Sequence, residues 1–191
     1  KKIKEYNNGY FFPNVGHNFN KFYNESLDFE LTNAQKKVIK EIRNDFSSKK
    51  QMIRLLQGDV GSGKTIIAAL IAAHVVEDQK QVVILAPTTI LANQHYESFC
   101  EWYGDNENIV LLTSKLPVRE KREIYQKISD GIVKIIIGTH VVFQDELIYQ
   151  NLSLVIYDEQ HRFGVNQRLK LKEKANDYPH QLLLSATPIP R

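Results

Sequence analysis

The 191 residues carry 25 basic and 22 acidic side chains for a formal charge of +3, so bulk charge neither demands nor excludes a polyanionic partner, and only clustering on one face would. That length allows one large domain, or a domain plus an arm, with a real core, and 42% hydrophobic with 25% charged residues suits a soluble globular chain. A single cysteine, Cys100, excludes an internal disulfide and fits a reducing cytosol, and the longest apolar run, Ile66 to Ala73, falls far short of the ~20 residues of a membrane span. The chain opens on Lys1 rather than Met and stops at Arg191 directly after Pro-Ile-Pro, which reads as a piece of something longer.

Residues 1–28 stand apart. Tyr6, Tyr10, Phe11, Phe12, Phe19, Phe22 and Tyr23 lie among Asn and Lys with no helix or strand period, as expected of an arm or linker that packs some aromatics on the domain; stacking on nucleic-acid bases is the alternative. From residue 29 a regular domain begins. Ala34, Val38, Ile42 and Phe46 recur at i+4 and predict an amphipathic helix, opened by a capping box of Thr32 with Gln35. MIRLLQ (52–57) predicts a strand, and Lys64–Val76 a helix apolar nearly all round and therefore buried. QVVILAP (81–87) predicts a strand, Thr89 to about Glu101 a helix, and IVLLT (109–113) a strand. VREKREIYQKISDG (118–131) is a charged helix closed by Gly131. VKIIIG, LSLVIY and QLLLS are three further strands. Several of these are continuous apolar runs, as strands buried on both faces are. The strand–helix alternation predicts an α/β domain, a mostly parallel sheet with helices on both faces.

GDVGSGKT (58–65) fits G-x-x-x-x-G-K-S/T between a strand and a helix, the context that makes this pattern a phosphate loop. Gly58, Gly61 and Gly63 let the backbone wrap closely and aim its N–H groups at phosphate oxygens, and the helix N-terminus adds positive potential. With Asp59, Val60 and Ser62 these residues form the candidate nucleotide site; Lys64 is expected on the β- and γ-phosphates and Thr65 on Mg²⁺. LSLVIYDEQH is an apolar strand ending in two carboxylates. Ligands in such sheets bind beyond the carboxyl ends of the strands, so the two motifs are expected to share one edge. Neighbouring side chains of an extended strand point opposite ways, which predicts different tasks: Asp158 for Mg²⁺ through water, Glu159 to orient and deprotonate the attacking water.

The set LTNAQ, GDVGSGKT, APTTILANQH, GTHVVFQ, DEQHRFGVNQR and SATPIPR, in this order, resembles the first motor domain of superfamily 2 helicases, a RecA-like P-loop NTPase domain. Within that superfamily it is similar to the RecG-type ATP-dependent DNA helicases, over about Leu27 to Arg191. Mfd-type transcription-repair translocases, the alternative, usually carry an aromatic at Ser62 and Glu at Gln160.

The resemblance implies ATP and Mg²⁺ as cofactors and DNA as partner, in branched duplexes, forks and junctions. It implies that Gln35 reads the adenine edge, a role that competes with the capping box. Pro87, Thr88, Gln94, Gly138, Thr139 and His140 would hold the DNA backbone, with a helix N-cap as the other reading of Thr88. Gln160, His161, Ser185, Ala186 and Thr187 would couple nucleotide state to a second motor domain. Arg162, Phe163, Gly164, Gln167 and Arg168 would shape a loop at that interface or beside DNA. Ser185 and Thr89 stand where many relatives have Thr and Glu. The family's wedge domain and second motor domain, with its arginine finger, are not within these residues, so the chain alone is expected to bind ATP weakly and turn it over poorly. The setting implied is cytoplasmic.

Overall fold

Alternate residues of the central strands face opposite ways, and both ways are covered. In the computed structural model, which describes residues 8–12, 20, 22–27, 29–58, 63–104, 107–159 and 164–186, Val82 and Ile84 join one apolar cluster while Val83 and Leu85 join the other. Leu154 and Ile156 divide in the same way from Val155 and Tyr157. Two cores on either side of one sheet are what the unbroken apolar runs predict.

The strands are β1 (Ile53–Gln57), β2 (Gln81–Leu85), β3 (Ile109–Leu112), β4 (Ile135–Gly138), β5 (Leu152–Asp158) and β6 (His180–Ser185). They form one sheet in the order β1-β6-β5-β2-β4-β3, and every pairing is parallel. The helices are α1 (Asn33–Phe46), α2 (Lys64–Glu77), α3 (Thr89–Tyr103), α4 (Val118–Ser129) and α5 (Val165–Glu173). Helices α1, α2 and α3 supply one core; Ile128 of α4 and Leu171 of α5 enter the other. Helix α2 is buried at every residue from Ile66 to Val75, as its all-round apolar sequence predicts. Gly131 closes α4 at φ +75°, a left-handed position that favours glycine.

Four features depart from the sequence reading. On α1 the buried residues are Ile39, Ile42 and Phe46, while Ala34 is exposed; the stripe drifts because 3.6 residues per turn carry a strict i+4 row around the helix. His140–Phe143 is a 3-10 turn and Phe22–Ser26 a short π turn, both too brief to leave a period. Helix α5 replaces the expected loop at Gln167 and Arg168. Gln167 Oε1 accepts the Gly164 N–H at 3.1 Å and so satisfies a helix-start donor, while the sole buried apolar residue of α5 among those described, Leu171, gives the sequence no repeat.

The N-terminal arm, where described, is part of the core. Phe12 is 2% exposed and lies 5.0 Å from Phe46, 5.8 Å from His74 and 5.9 Å from His180, ring centre to ring centre. The Phe12 N–H donates to the Phe46 carbonyl at 2.9 Å. His180 clips the arm to the sheet: Nδ1 accepts the Met52 N–H at 2.9 Å and Nε2 donates to the Tyr10 carbonyl at 2.6 Å, which fixes one neutral tautomer. Domain packing thus prevails over base stacking for Tyr10 and Phe12. Phe11 is 44% exposed, and Tyr6 and Phe19 lie outside the described residues.

Phe12→Ala should lower the unfolding free energy by about 3–5 kcal/mol, the cost of a large aromatic truncated in a core, read from the urea midpoint. Burial pushes the His74 imidazole down to about 4, helped by Arg43 and opposed by Glu77, and burial lowers His180 in the same direction. The unfolded chain therefore takes up protons first, so this stability is complete above pH ~6.5 and is lost as pH falls toward 4. In urea titrations at pH 7, 5.5 and 4.5, His74→Phe should flatten that decline relative to the parent chain.

Candidate active site

Because all strands run parallel, β1, β5 and β6 deliver their carboxyl ends to one edge. Strand β6 lies between the other two, and its last peptides tie them together. The Gly58 N–H, where β1 passes into the phosphate loop, donates to the Ser185 carbonyl at 3.1 Å. On the opposite flank the Glu159 N–H donates to the Leu184 carbonyl at 2.9 Å. The Ala186 N–H reaches Glu159 Oε1 at 3.4 Å. Ser185 and Ala186 therefore stand between the two motifs that the sequence assigns to nucleotide.

Helix α2 starts at Gly63, its N-cap, with φ +81°, where a side chain would be strained and would run into the Gln35 amide. Lys64 and Thr65 form the first turn, and the Lys64 ammonium donates to the Gly58 carbonyl across the loop. Together with Asp158 and Glu159 they border a cleft of about 440 Å³. Asp59, Val60, Gly61 and Ser62 lie outside the described residues, as do Gln160, His161, Arg162, Phe163 and Thr187.

The two carboxylates are not separated by strand alternation. Strand β5 ends at Asp158, and Glu159 takes φ +54°. That left-handed turn breaks the extended backbone on which the alternation argument rests, and both side chains line the same cleft. Their partners distinguish them instead. Glu159 receives the Ala186 N–H, and Asp158 receives His95, whose Nε2 lies 2.7 Å from Oδ2. Motif spacing does not reveal His95, because it enters from α3 across the sheet edge.

Other expected site residues take more specific positions. Gln35 adopts the capping rotamer: its Oε1 accepts the Thr32 N–H at 2.9 Å and its N–H donates to Thr32 Oγ1 at 3.1 Å. Its amide nitrogen faces Gly63, so capping and proximity to the phosphate loop occur together rather than excluding each other. Thr88 is an N-cap, accepting the Leu91 N–H at 3.2 Å; its residue is exposed and Pro87 half-buried. Gln94 lines the same cleft beside His95, not the loop that holds Thr88. Gly138 is buried, and a Cβ there would press on the Leu112 carbonyl. Thr139 is only 4% exposed and its N–H donates to Leu112, so the hydroxyl expected to face phosphate is shielded. His140 is the exposed member of that trio. Arg168 is half-buried on α5, close enough to Tyr157 for its charge to oppose the rise that burial imposes on that phenol.

The ends of β1 and β5, joined by β6 on one edge of a parallel sheet, give the layout of a RecA-like helicase domain, and the chain belongs to the DEAD/DEAH box helicase family, whose model matches residues 32–191. Within the family the similarity is to RecG. The chain is 49% identical over 180 residues to the ATP-dependent DNA helicase RecG of Aquifex aeolicus, covering 93% of this chain and 23% of that protein. It is 48% identical over 170 residues to RecG of Haemophilus influenzae, covering 87% and 24%. A solved structure of RecG bound to a three-way DNA junction superposes with a TM-score of 0.81 at 40% identity, over 96% of this chain and 24% of that one. The chain thus spans about a quarter of the length of these relatives, and the resemblance read from its motifs holds along nearly all of it.

Thr88→Ala should cost about 1 kcal/mol of unfolding free energy, the usual worth of an N-cap, and Thr88→Asp should restore it because Asp caps equally well; urea titration of both variants checks this.

Proposed function

We propose that this lobe binds ATP with Mg²⁺ and, within the full-length protein, powers a RecG-type helicase that remodels branched DNA during fork repair and recombination. The observation that carries the reading is the shared cleft: Lys64 and Thr65 at the start of α2 meet Asp158 and Glu159, with β6 linking the two sides. Lys64 lies at the end of the helix whose unpaired N–H groups favour phosphate, and its ammonium leaves the Gly58 carbonyl for the β- and γ-phosphates. The Thr65 hydroxyl and the Asp158 carboxylate supply the all-oxygen donor set that suits Mg²⁺ alongside phosphates and water. When bound, Mg²⁺ offsets charge on the phosphates. Glu159 orients and deprotonates the attacking water; its turned backbone and its contact with Ala186 hold the carboxylate on the cleft side.

DNA meets the same edge of the sheet through the Pro87–Thr88 turn and His140, with Arg168 behind them on α5, and the peptide link through Leu184 to Ala186 passes the state of the cleft toward the rest of the protein. Gln35 contacts adenine through its amide nitrogen while its carbonyl stays in the cap. A cytoplasmic setting is part of the same proposal. Alone, the lobe binds ATP weakly and turns it over slowly, because an arginine finger contributed by a second motor domain is worth about 10³–10⁵ in rate.

In the full-length protein, Lys64→Ala should abolish ATP hydrolysis stimulated by branched DNA. Glu159→Gln should lower the turnover by about 10²–10⁴ while leaving ATP binding intact. Steady-state phosphate release and equilibrium binding of a fluorescent ATP analogue separate the two effects, and unchanged turnover in Lys64→Ala would refute the assignment.

A further inference from the structure

We propose that His95 is a positioning residue for Asp158: it sets the orientation of the carboxylate that holds Mg²⁺ and fastens it to α3. The inference rests on the nucleotide-site reading above and adds a residue to it.

The geometry is that of a built contact. His95 Nε2 lies 2.7 Å from Asp158 Oδ2, and the two side chains are only 11% and 14% exposed. A carboxylate accepts, so Nε2 carries the proton, and 2.7 Å is the short end of the range for N–H donors to ionised oxygens. Withdrawn from bulk water in the cleft wall, such a bond is stronger than it would be on an open surface. With Oδ2 held, the carboxylate no longer rotates freely, and the direction of Oδ1 is set. Partners of this kind orient the ligating group, and their loss typically costs about 10–100-fold in metal affinity.

The second half of the inference comes from the location of His95. Asp158 ends β5, whereas His95 stands on α3, about two turns from the Thr88 cap that opens that helix. Gln94 and His95 face the nucleotide cleft, and the first turn of the same helix borders the candidate DNA loop. One rigid element thus carries both ends, so a shift of α3 when DNA engages Pro87 and Thr88 moves the donor that holds Asp158. The helix is fixed in the core by Ala92 and Phe99, and by the Tyr103 hydroxyl on the Ala69 carbonyl of α2.

The test uses the full-length protein with His95→Ala, His95→Gln and Asp158→Asn, and reads the Mg²⁺ dependence of fluorescent ADP binding rather than turnover. His95→Ala should raise the Mg²⁺ concentration for half-maximal tightening by about 10–100-fold, a larger change than the one it makes to ADP affinity in EDTA, where the cation plays no part. His95→Gln, whose Nε2 can donate from a similar reach, should recover most of the lost affinity. If His95→Ala titrates like the parent while Asp158→Asn does not, this inference fails and the nucleotide-site reading stands. If Asp158→Asn also titrates like the parent, the carboxylate is not the Mg²⁺ holder and both fall. Loss in His95→Gln equal to that in His95→Ala would show that packing, not the donated hydrogen bond, matters, and would overturn the positioning role.

Discussion

The insertion of β6 between β1 and β5 is the constraint on which the site depends. A parallel strand offers its neighbours regularly spaced carbonyls and N–H groups. At the end of β6 these meet Gly58 on one side and Glu159 on the other. The phosphate loop and the acidic motif are separated by about a hundred residues of chain, yet one peptide segment holds them at a fixed spacing. Displacement of Leu184, Ser185 or Ala186 would be felt at both. Under the proposed function, Leu184 to Ala186 is where a nucleotide-dependent signal would leave the cleft.

The two cores make that segment rigid. Burial on both faces leaves β5 and β6 no freedom to slip, since a one-residue shift would exchange the faces of every apolar side chain. Beyond the strands the backbone leaves extended geometry, at Gly63 where α2 begins and at Glu159 after β5, both at positive φ. Glu159 is the more telling of the two, because a non-glycine residue at φ +54° is held there by its surroundings. Its N–H bond to Leu184 and the contact of its carboxylate with Ala186 supply that hold.

The same economy appears at α3 and at the arm. Helix α3 caps itself with Thr88, places His95 on Asp158 and buries Phe99, so that one helix spans loop, cleft and core. The arm residues near Phe12 fill the space between α1, α2 and the start of β6, and His180 uses both ring nitrogens to join arm, β1 and β6. The first residue of β6 thus acts as a clasp between three segments.

Most of the fold was legible in the sequence, because it was written in local patterns. Unbroken apolar strands announced a parallel sheet covered on both faces, the all-round apolar Lys64–Val76 announced a buried helix, and GDVGSGKT announced the passage from a strand into that helix. Gly131 and the Thr32–Gln35 box marked helix ends for the same reason: capping is decided within four residues. What depended on segments distant in the chain was not legible. The strand order, the bridging of both motifs by β6, the pairing of His95 with Asp158, the shielding of Thr139 and the docking of Phe12 each arise from surfaces brought together only on folding. The turn at Glu159 belongs with them, since nothing in Asp-Glu-Gln-His says that the extended backbone stops one residue early. Local chemistry chose the residues; the parallel sheet, by setting which strand ends meet, decided what each of them touches.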